Sequence, residues 1–348
     1  MPRPDRSAEI DAMLLARVVK HPQDLVAVVG NELGLTRQTI ATRARALIGA
    51  GYLAKSGTTR PTYSLGTSRR AVFTHPLRGL EENQVWLRGV APLLRGLPAN
   101  LVDICQHGLT EMVNNAIDHS GGLHLRVFVD RTQETVTLMV SDDGVGIFRK
   151  ITAALDLPDE RLALLELSKG KLTTDPRRHT GEGVFFTSRM FDRFQIASGE
   201  LVFDHDDAEA DDLLDGIEPR YARRGTTVLM ELATKSKRTA KQVFDKFSSG
   251  PDDYAFAKTV VPVRLAKVGD ENLVSRSQAK RLMQRVERFG TVVLDFAGVA
   301  SIGQAFADEV FRVFANAHTG VELVPMHAAP AVQQMIRRAQ VASDEGRL

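Results

Sequence analysis

A chain of 348 residues predicts two or three domains rather than one, and 43% hydrophobic with 25% charged residues is the make-up of an ordinary soluble protein with real cores. No apolar run approaches the roughly 18 to 20 residues of a membrane span, and Met1-Pro2-Arg3-Pro4-Asp5 lacks a signal peptide's apolar centre, so the expectation is a cytoplasmic protein with no membrane partner. The single cysteine, Cys105, excludes an internal disulfide and sits on the apolar side of a helical pattern, as a core residue does. The net charge of +2 hides an asymmetry: residues 1–70 carry eleven Lys/Arg against five Asp/Glu, whereas residues 200–218 hold nine acids and no Lys or Arg. The basic block suggests a polyanion partner, and the acidic one reads as a solvated loop or hairpin insertion.

The first elements in the chain are helical. Ser7 can cap a helix over 7–20, with Ile10, Met13, Leu14, Ala16, Val18 and Val19 as its apolar stripe, and His21-Pro22 breaks it. A second helix over 23–33 ends at Gly34, suited to a left-handed cap, and Thr36 can cap a third helix to about residue 50. Residues 51–55 and 62–65, around the turn-prone stretch 56–61, read as a β-hairpin. Three helices with a tight second turn and a basic-tipped hairpin resemble a winged helix-turn-helix over 7–66. The resemblance implies DNA binding: the third helix would bring Arg37, Gln38, Thr39, Thr42 and Arg43 to base edges in the major groove, and Lys55 and Arg60 on the wing would meet phosphates. The alternative is a winged helix used for protein contact or dimerisation.

Residues 66–75 read as a linker, and 80–97 contains an amphipathic helix with Val85, Trp86, Val90, Leu93 and Leu94. A helix from residue 100 runs into Thr110-Glu111-Met112-Val113-Asn114-Asn115-Ala116-Ile117-Asp118-His119-Ser120, placing Glu111, Asn115 and Asp118 at i, i+4 and i+7. Two carboxylates and a carboxamide on one face cannot be buried unpaired without cost, so they ask for a ligand. Two strands, 123–130 and 135–141, lead into Asp142-Asp143-Gly144-Val145-Gly146-Ile147. Then come His179-Thr180-Gly181-Glu182-Gly183-Val184, opening an apolar helical run, and Gly225-Thr226-Thr227, leading another strand. In this order the four pieces resemble the nucleotide-binding boxes of the ATPase superfamily (GHKL) shared by DNA gyrase, the heat-shock chaperone ATPase, histidine kinases and the mismatch-repair protein MutL.

That resemblance implies ATP as ligand and Mg²⁺ as cofactor. Asn115 would offer the hard metal ion an oxygen, Glu111 one turn earlier would accept a proton from the attacking water, and Asp118 would join the nucleotide site. Asp142 matches the family's aspartate that accepts from the adenine amino group, Thr226 stands beside it, and Gly144 and Gly146 let the backbone pass close to the base. Gly181 and Gly183, ahead of a helix start, would face phosphate oxygens. The segment 148–180 corresponds to the family's lid and carries Ser168-Lys169-Gly170-Lys171, whose Lys169 and Lys171 are candidate phosphate ligands although the Walker spacing is absent.

After a basic helical stretch over 234–247 and a turn over 248–253, strands over 259–268, 291–296 and 321–324 alternate with helices over 275–289, 303–317 and 329–339, a small α/β unit. Residues 292–306 look like the STAS-like fold of anti-sigma-factor antagonists, in which a serine near the helix start is phosphorylated by a kinase of the same ATPase superfamily. Matching the strand and turn puts Ala305 at that serine, so the acceptor is missing; Ser301 lies on the strand side.

The expectation is an α+β multidomain protein: a winged helix over 1–66, an α/β sandwich ATP-binding domain over 67–234, and a linker with a STAS-like domain over 235–348. Its function would be that of an ATP-binding regulator, hydrolysing ATP and coupling this to DNA binding and protein-partner contacts, as a homodimer. The alternatives are a serine kinase of the anti-sigma type and an ATP sensor without turnover; a base at Glu111 argues against the sensor, and His75 and His107 are badly placed for a histidine autokinase.

Overall fold

The computed structural model of the chain describes residues 6–58, 60–172, 181–206, 213–214, 224–250, 253–267 and 271–345. Three helices, α1 (Ser7–Arg17), α2 (Leu25–Leu33) and α3 (Arg37–Gly49), precede an antiparallel hairpin of β1 (Leu53–Ser56) and β2 (Thr62–Leu65). Gly34 ends α2 at φ +64, and Thr36 caps α3 by accepting the Thr39 N–H at 3.3 Å. In α1, by contrast, Arg6 is the cap residue and Ser7 is already helical. These elements close a core of their own, in which Leu14, Leu25, Val29 and Ile40 meet Tyr52 and Leu53.

Residues 66–75 are not a linker. Arg69–Pro76 form β3, which pairs antiparallel along its full length with β4 (His124–Arg131). Arginines and a proline are what an unpaired sheet edge carries, and they hid the alternation. The helix expected over 80–97 begins as α4 (Glu82–Gln84) and continues through a π turn (Val85–Val90) and a 3₁₀ turn (Ala91–Leu94); residues 95–98 turn the chain into α5 (Ala99–His119). Then follow β5 (Thr135–Asp142), α6 (Ile147–Leu155), α7 (Arg161–Lys169), α8 (Gly183–Met190), β6 (Arg193–Ser198), β7 (Leu201–Asp206), β8 (Leu213–Leu214) and β9 (Thr227–Ala233). The strands form one seven-stranded antiparallel sheet in the order β3-β4-β5-β9-β6-β7-β8. Helix α5 packs on β5 and β9 and α8 packs on β6; Gly108 allows the close approach, since a Cβ there would lie 2.5 Å from the Phe191 ring. Most of the acidic block over 200–218 lies outside the described residues.

Helix α9 (Ala240–Phe247), with a capping box of Thr239 and Gln242, packs on α8 and α5. A hairpin, β10 (Ser248–Gly250) and β11 (Asp253–Phe256), stands where a simple turn was expected. The last part alternates β12 (Lys258–Pro262), α10 (Arg276–Met283), β13 (Thr291–Asp295), α11 (Gln304–Asp308), α12 (Ala315–Ala317), β14 (Glu322–Met326) and α13 (Pro330–Glu345), and β12-β13-β14 make a parallel sheet. Its core is continuous with that of the large sheet, running from Trp86 and Leu109 through Phe185, Phe256 and Phe289 to Phe306 and Val332. The architecture is α+β and multidomain. Among the described residues no helix is long and apolar enough to cross a membrane.

Candidate functional site

A cavity of about 300 Å³ opens between α5, the sheet, and helices α6 to α8. Helix α5 supplies Glu111, Met112, Asn115, Ala116 and His119 to its wall; β5 and β9 supply Val140, Asp142, Thr226 and Val228; Gly146, Ile147, Lys150 and Ile151 come from α6 and the turn before it. Leu167, Leu172, Gly181, Gly183 and Val184 complete one side. The structure therefore brings Glu111, Asn115, Asp142, Gly146, Gly181, Gly183 and Thr226 into one cavity. His179 and Thr180 lie outside the described residues.

The aspartate end is built by backbone geometry. Asp142 ends β5, and its Oδ1 accepts the N–H groups of Gly144 (2.9 Å) and Thr226 (3.3 Å). Its own N–H donates to the Thr226 carbonyl (2.9 Å), while Thr226 Oγ1 accepts from Ile147 N–H (3.0 Å). Gly225, at φ +78, must be glycine, because any Cβ would collide with the Asp142 carbonyl. Burial raises the pKa of Asp142 above the usual carboxylate value, and the two N–H donors oppose that rise. Oδ2 has no hydrogen bond among the described residues. One fixed carboxylate with a spare oxygen, beside Met112, Val140, Ile147, Ile151, Ile196 and Val228, forms a largely apolar slot with a carboxylate anchor.

The other end lies along α5. From Glu111 to Ser120, which abuts Gly144, is nine residues, or about 13 Å of helix at 1.5 Å per residue. Glu111 meets the start of α8, where a Cβ on Gly183 would run into its carboxylate. The cavity thus has an acidic side chain and a helix start at one end and the anchored aspartate at the other.

Four expected site residues stand elsewhere. Asp118 is exposed and does not line the cavity: at about 100° per residue the cavity stripe of Glu111, Met112, Asn115, Ala116 and His119 centres about 90° away from it. Gly144 packs against the Ser120 carbonyl and lines a neighbouring cleft instead. Lys169 is fully buried, and its Nζ donates to Glu166 Oε1 (2.6 Å) and to the carbonyls of Arg281 (3.0 Å) and Gln284 (2.9 Å) in the last part of the chain. Lys171 donates to the Arg288 carbonyl (3.2 Å) and stands over the rings of Phe289 and Phe256. Both ammonium groups point away from a phosphate role because an interface holds them.

Lys150 was missed. It lines the cavity half-buried, donates to the His119 carbonyl at 2.6 Å, and has its pKa lowered by burial, with Asp118 opposing. The signal was present in Ile147, Lys150 and Ile151 at i, i+3 and i+4, which is one helix stripe.

Residues 79–202 match the histidine kinase-like ATPase domain. Such a domain implies nucleotide binding. Residues 278–333 match a STAS-like domain of unknown function, which spans α10 to the start of α13. No curated protein matches the chain. The ATPase match ends in β7 and so stops before Thr226, which joins the cavity through the pairing of β9 with β5.

In the STAS-like part Ala305 is the second residue of α11 and Ser301 is exposed in the preceding loop. Cys105 is buried, and burial pushes its thiol up to about 12, which makes it inert. His75 lies in β3, and His107 lies in α5 with its ring 5.7 Å from that of Phe244.

In the first three helices Arg37, Gln38, Thr39 and Thr42 are exposed on α3, as are Lys55 and Arg60 on the hairpin. Arg43 is different. It is half-buried and clamps Asp11 of α1, through Nε at 2.9 Å and through Nη2, so it ties two helices together. Arg45, which sequence reading passed over, is exposed and donates to Thr42 Oγ1 (3.2 Å).

Proposed function

We propose that the chain is an ATP-dependent regulator in which residues 67–234 bind and hydrolyse ATP, residues 1–66 form a DNA-binding winged helix, and residues 235–348 serve protein contacts. The observation that carries the ATP reading is the anchored aspartate in an apolar slot, about 13 Å along α5 from Glu111. Adenine enters the slot and its amino group donates to Asp142 Oδ2. The phosphates extend along α5 toward Asn115, Gly181, Gly183 and the start of α8, whose free N–H groups suit an anion. Lys150 lies on the same wall, where its ammonium offers a second cation to the nucleotide.

Mg²⁺ fits the donor set: Asn115 offers the cavity one carboxamide oxygen, and a hard ion that keeps waters and takes phosphate oxygens needs few protein ligands. When bound, the ion would neutralise phosphate charge. Glu111 accepts a proton from a water directed at the γ-phosphorus, the new P–O bond forms as the bond to the ADP oxygen breaks, and the apolar walls exclude other water.

The DNA reading is supported by exposed Arg37, Gln38, Thr39 and Thr42 in the first two turns of α3 and by Lys55 and Arg60 on the hairpin; Arg43 is removed from it and Arg45 added. Kinase activity toward the chain's own STAS-like part has no acceptor at Ala305. Incubating the full chain with γ-labelled ATP and Mg²⁺ tests the reading: label released as free phosphate is expected, and label retained in ATP or moved onto protein would overturn hydrolysis.

A further inference from the structure

Helix α7 is buried at eight successive residues, Leu162 to Lys169, which marks a helix enclosed between two bodies rather than one lying on a surface. One body is the ATP cavity, which Leu167 and then Leu172 line. The other is the STAS-like part, since α7 packs on β12 and on the 3₁₀ turn Val263–Ala266.

The grip is made at the end of α10. The Arg281 carbonyl lies in the last turn of that helix, where it also accepts the Gln284 N–H at 3.4 Å, and Gln284 is the residue that caps the helix; the helix dipole at this end favours a cation. Lys169 supplies it: its three donors are used on those two carbonyls and on Glu166, so the ammonium is both paired and satisfied although buried. The Lys169 carbonyl in turn accepts from the buried Thr259 hydroxyl in β12 (2.7 Å). Arg288 Nη1 donates to the Lys171 carbonyl (3.2 Å), and Lys171 answers on the Arg288 carbonyl. Gly170 lets the chain pass between Phe256 and Phe185, at φ +76, where a Cβ would stand 2.7 Å from the Phe256 ring. Leu172 N–H then donates to the Gly181 carbonyl at the cavity wall (3.1 Å). Over seven residues, 166–172, the chain alternates between the STAS-like part and the cavity.

We infer that the STAS-like part is a built-in regulator of the nucleotide cavity, with Lys169 and Lys171 as positioning residues that hold Leu167 and Leu172 against the nucleotide from the α10 end. The inference rests on the ATP reading of the cavity. A change at α10 moves the wall, and nucleotide in the cavity braces α10, because coupling between two sites is reciprocal.

The test uses the full chain and two variants. Lys171→Ala loosens the rim, and Glu166→Gln with Lys169→Met removes both buried charges together, leaving only Arg285, whose Nε lies 3.9 Å from Glu166 Oε2 and whose side chain is partly exposed, without that partner. ATP is expected to protect amides of residues 259–261 and 281–289 from hydrogen exchange in the unaltered chain. The double variant is expected to raise the Kd for ATP by about five-fold or more, and Lys171→Ala by less, while turnover at saturating ATP stays within about two-fold because Glu111 and Asn115 are untouched. A purely structural role would lower the amount of active protein and leave Kd unchanged. If the unaltered chain binds ATP but the amides at 281–289 do not respond, or if the variants bind ATP as tightly as the unaltered chain, the inference falls alone. Should the double variant fail to fold, Lys171→Ala and the exchange pattern decide. A chain that binds no ATP removes the nucleotide reading and this inference with it.

Discussion

The two ends of the chain are attached to the ATPase domain in opposite ways. The N-terminal unit keeps a separate core and meets the sheet through polar groups: the Tyr52 hydroxyl donates to Asp130 in β4, Arg70 of β3 pairs with the same carboxylate, and Ser68 Oγ donates to the Ala50 carbonyl (3.0 Å). Arg70 also stacks over the Tyr52 ring at 4.9 Å. The STAS-like part instead shares one continuous apolar core with the sheet, stitched by Phe185, Phe256 and Phe289 and by the buried Lys169. Of these polar groups only Arg70 is half-exposed, and each such hydrogen bond contributes about 1 kcal/mol net, whereas a shared core must be broken to separate its halves. The difference teaches that the C-terminal part is packed into one core with the ATPase domain, whereas the N-terminal unit keeps a core of its own.

The sharpest way to break that contrast is to damage each junction and watch the other. Phe256→Ala should cost about 3 to 5 kcal/mol and lower the unfolding midpoint of ATPase and STAS-like parts together in one transition; two separate transitions in calorimetry would deny the shared core. Next in size, Arg37→Ala should cost about 1 to 3 kcal/mol at a specific DNA site in a mobility-shift titration. Arg43→Ala should instead destabilise the N-terminal helices by releasing Asp11, with DNA sequence preference unchanged. The reverse pattern would return Arg43 to the DNA surface. Tyr52→Phe removes two hydrogen bonds, the one donated to Asp130 and the one accepted from Arg70 Nη2 (3.0 Å), and keeps the stacked ring, so about 1 to 2 kcal/mol is expected, confined to the N-terminal unit. A loss spread over the whole chain would show the polar junction to be as strong as the apolar one.

The smallest effect concerns pH and Asp142. Its folded pKa is raised by burial, so the folded protein binds that proton more tightly than the unfolded chain does. This group therefore lowers stability above its raised pKa, and the cost is relieved as pH falls through that value. ATP affinity runs the other way. The carboxylate accepts the adenine amino group only when ionised, so affinity should fall in acid starting at a higher pH than an ordinary aspartate would give. Asp142→Asn should flatten that limb in a fluorescence titration with labelled nucleotide; an unchanged limb would assign the proton elsewhere.

Much of this was legible in the sequence, and the failures share a cause. The spacing of Glu111 and Asn115 is a local signal set by helix period, Asp142, Gly146 and Thr226 were legible through the family resemblance, and these residues line the cavity, whereas Gly144 does not. Lys169, Lys171 and Arg43 were read as ligand-facing because a basic residue beside glycine or at a helix start is a local pattern; their actual partners, at Arg281, Gln284, Arg288 and Asp11, lie far along the chain or on another helix. Asp118 failed by a fraction of a helical turn, since the cavity stripe is centred on Asn115 and His119. Strand β3 failed because edge-strand arginines and Pro76 resemble a linker's composition. The attachment of the STAS-like part through α7 left no trace in local periodicity.

The central claim is that Asp142 and Glu111 act on opposite ends of one ATP molecule. Measuring nucleotide affinity by calorimetry and phosphate release side by side for Asp142→Asn and Glu111→Ala tests it most directly. Asp142→Asn should lose ATP affinity and with it every later step. Glu111→Ala should bind ATP as the unaltered chain does and lose roughly 10²- to 10⁴-fold in turnover, because a base contributes mainly in the transition state. Equal loss of affinity in both variants, or undiminished hydrolysis in Glu111→Ala, would contradict the account.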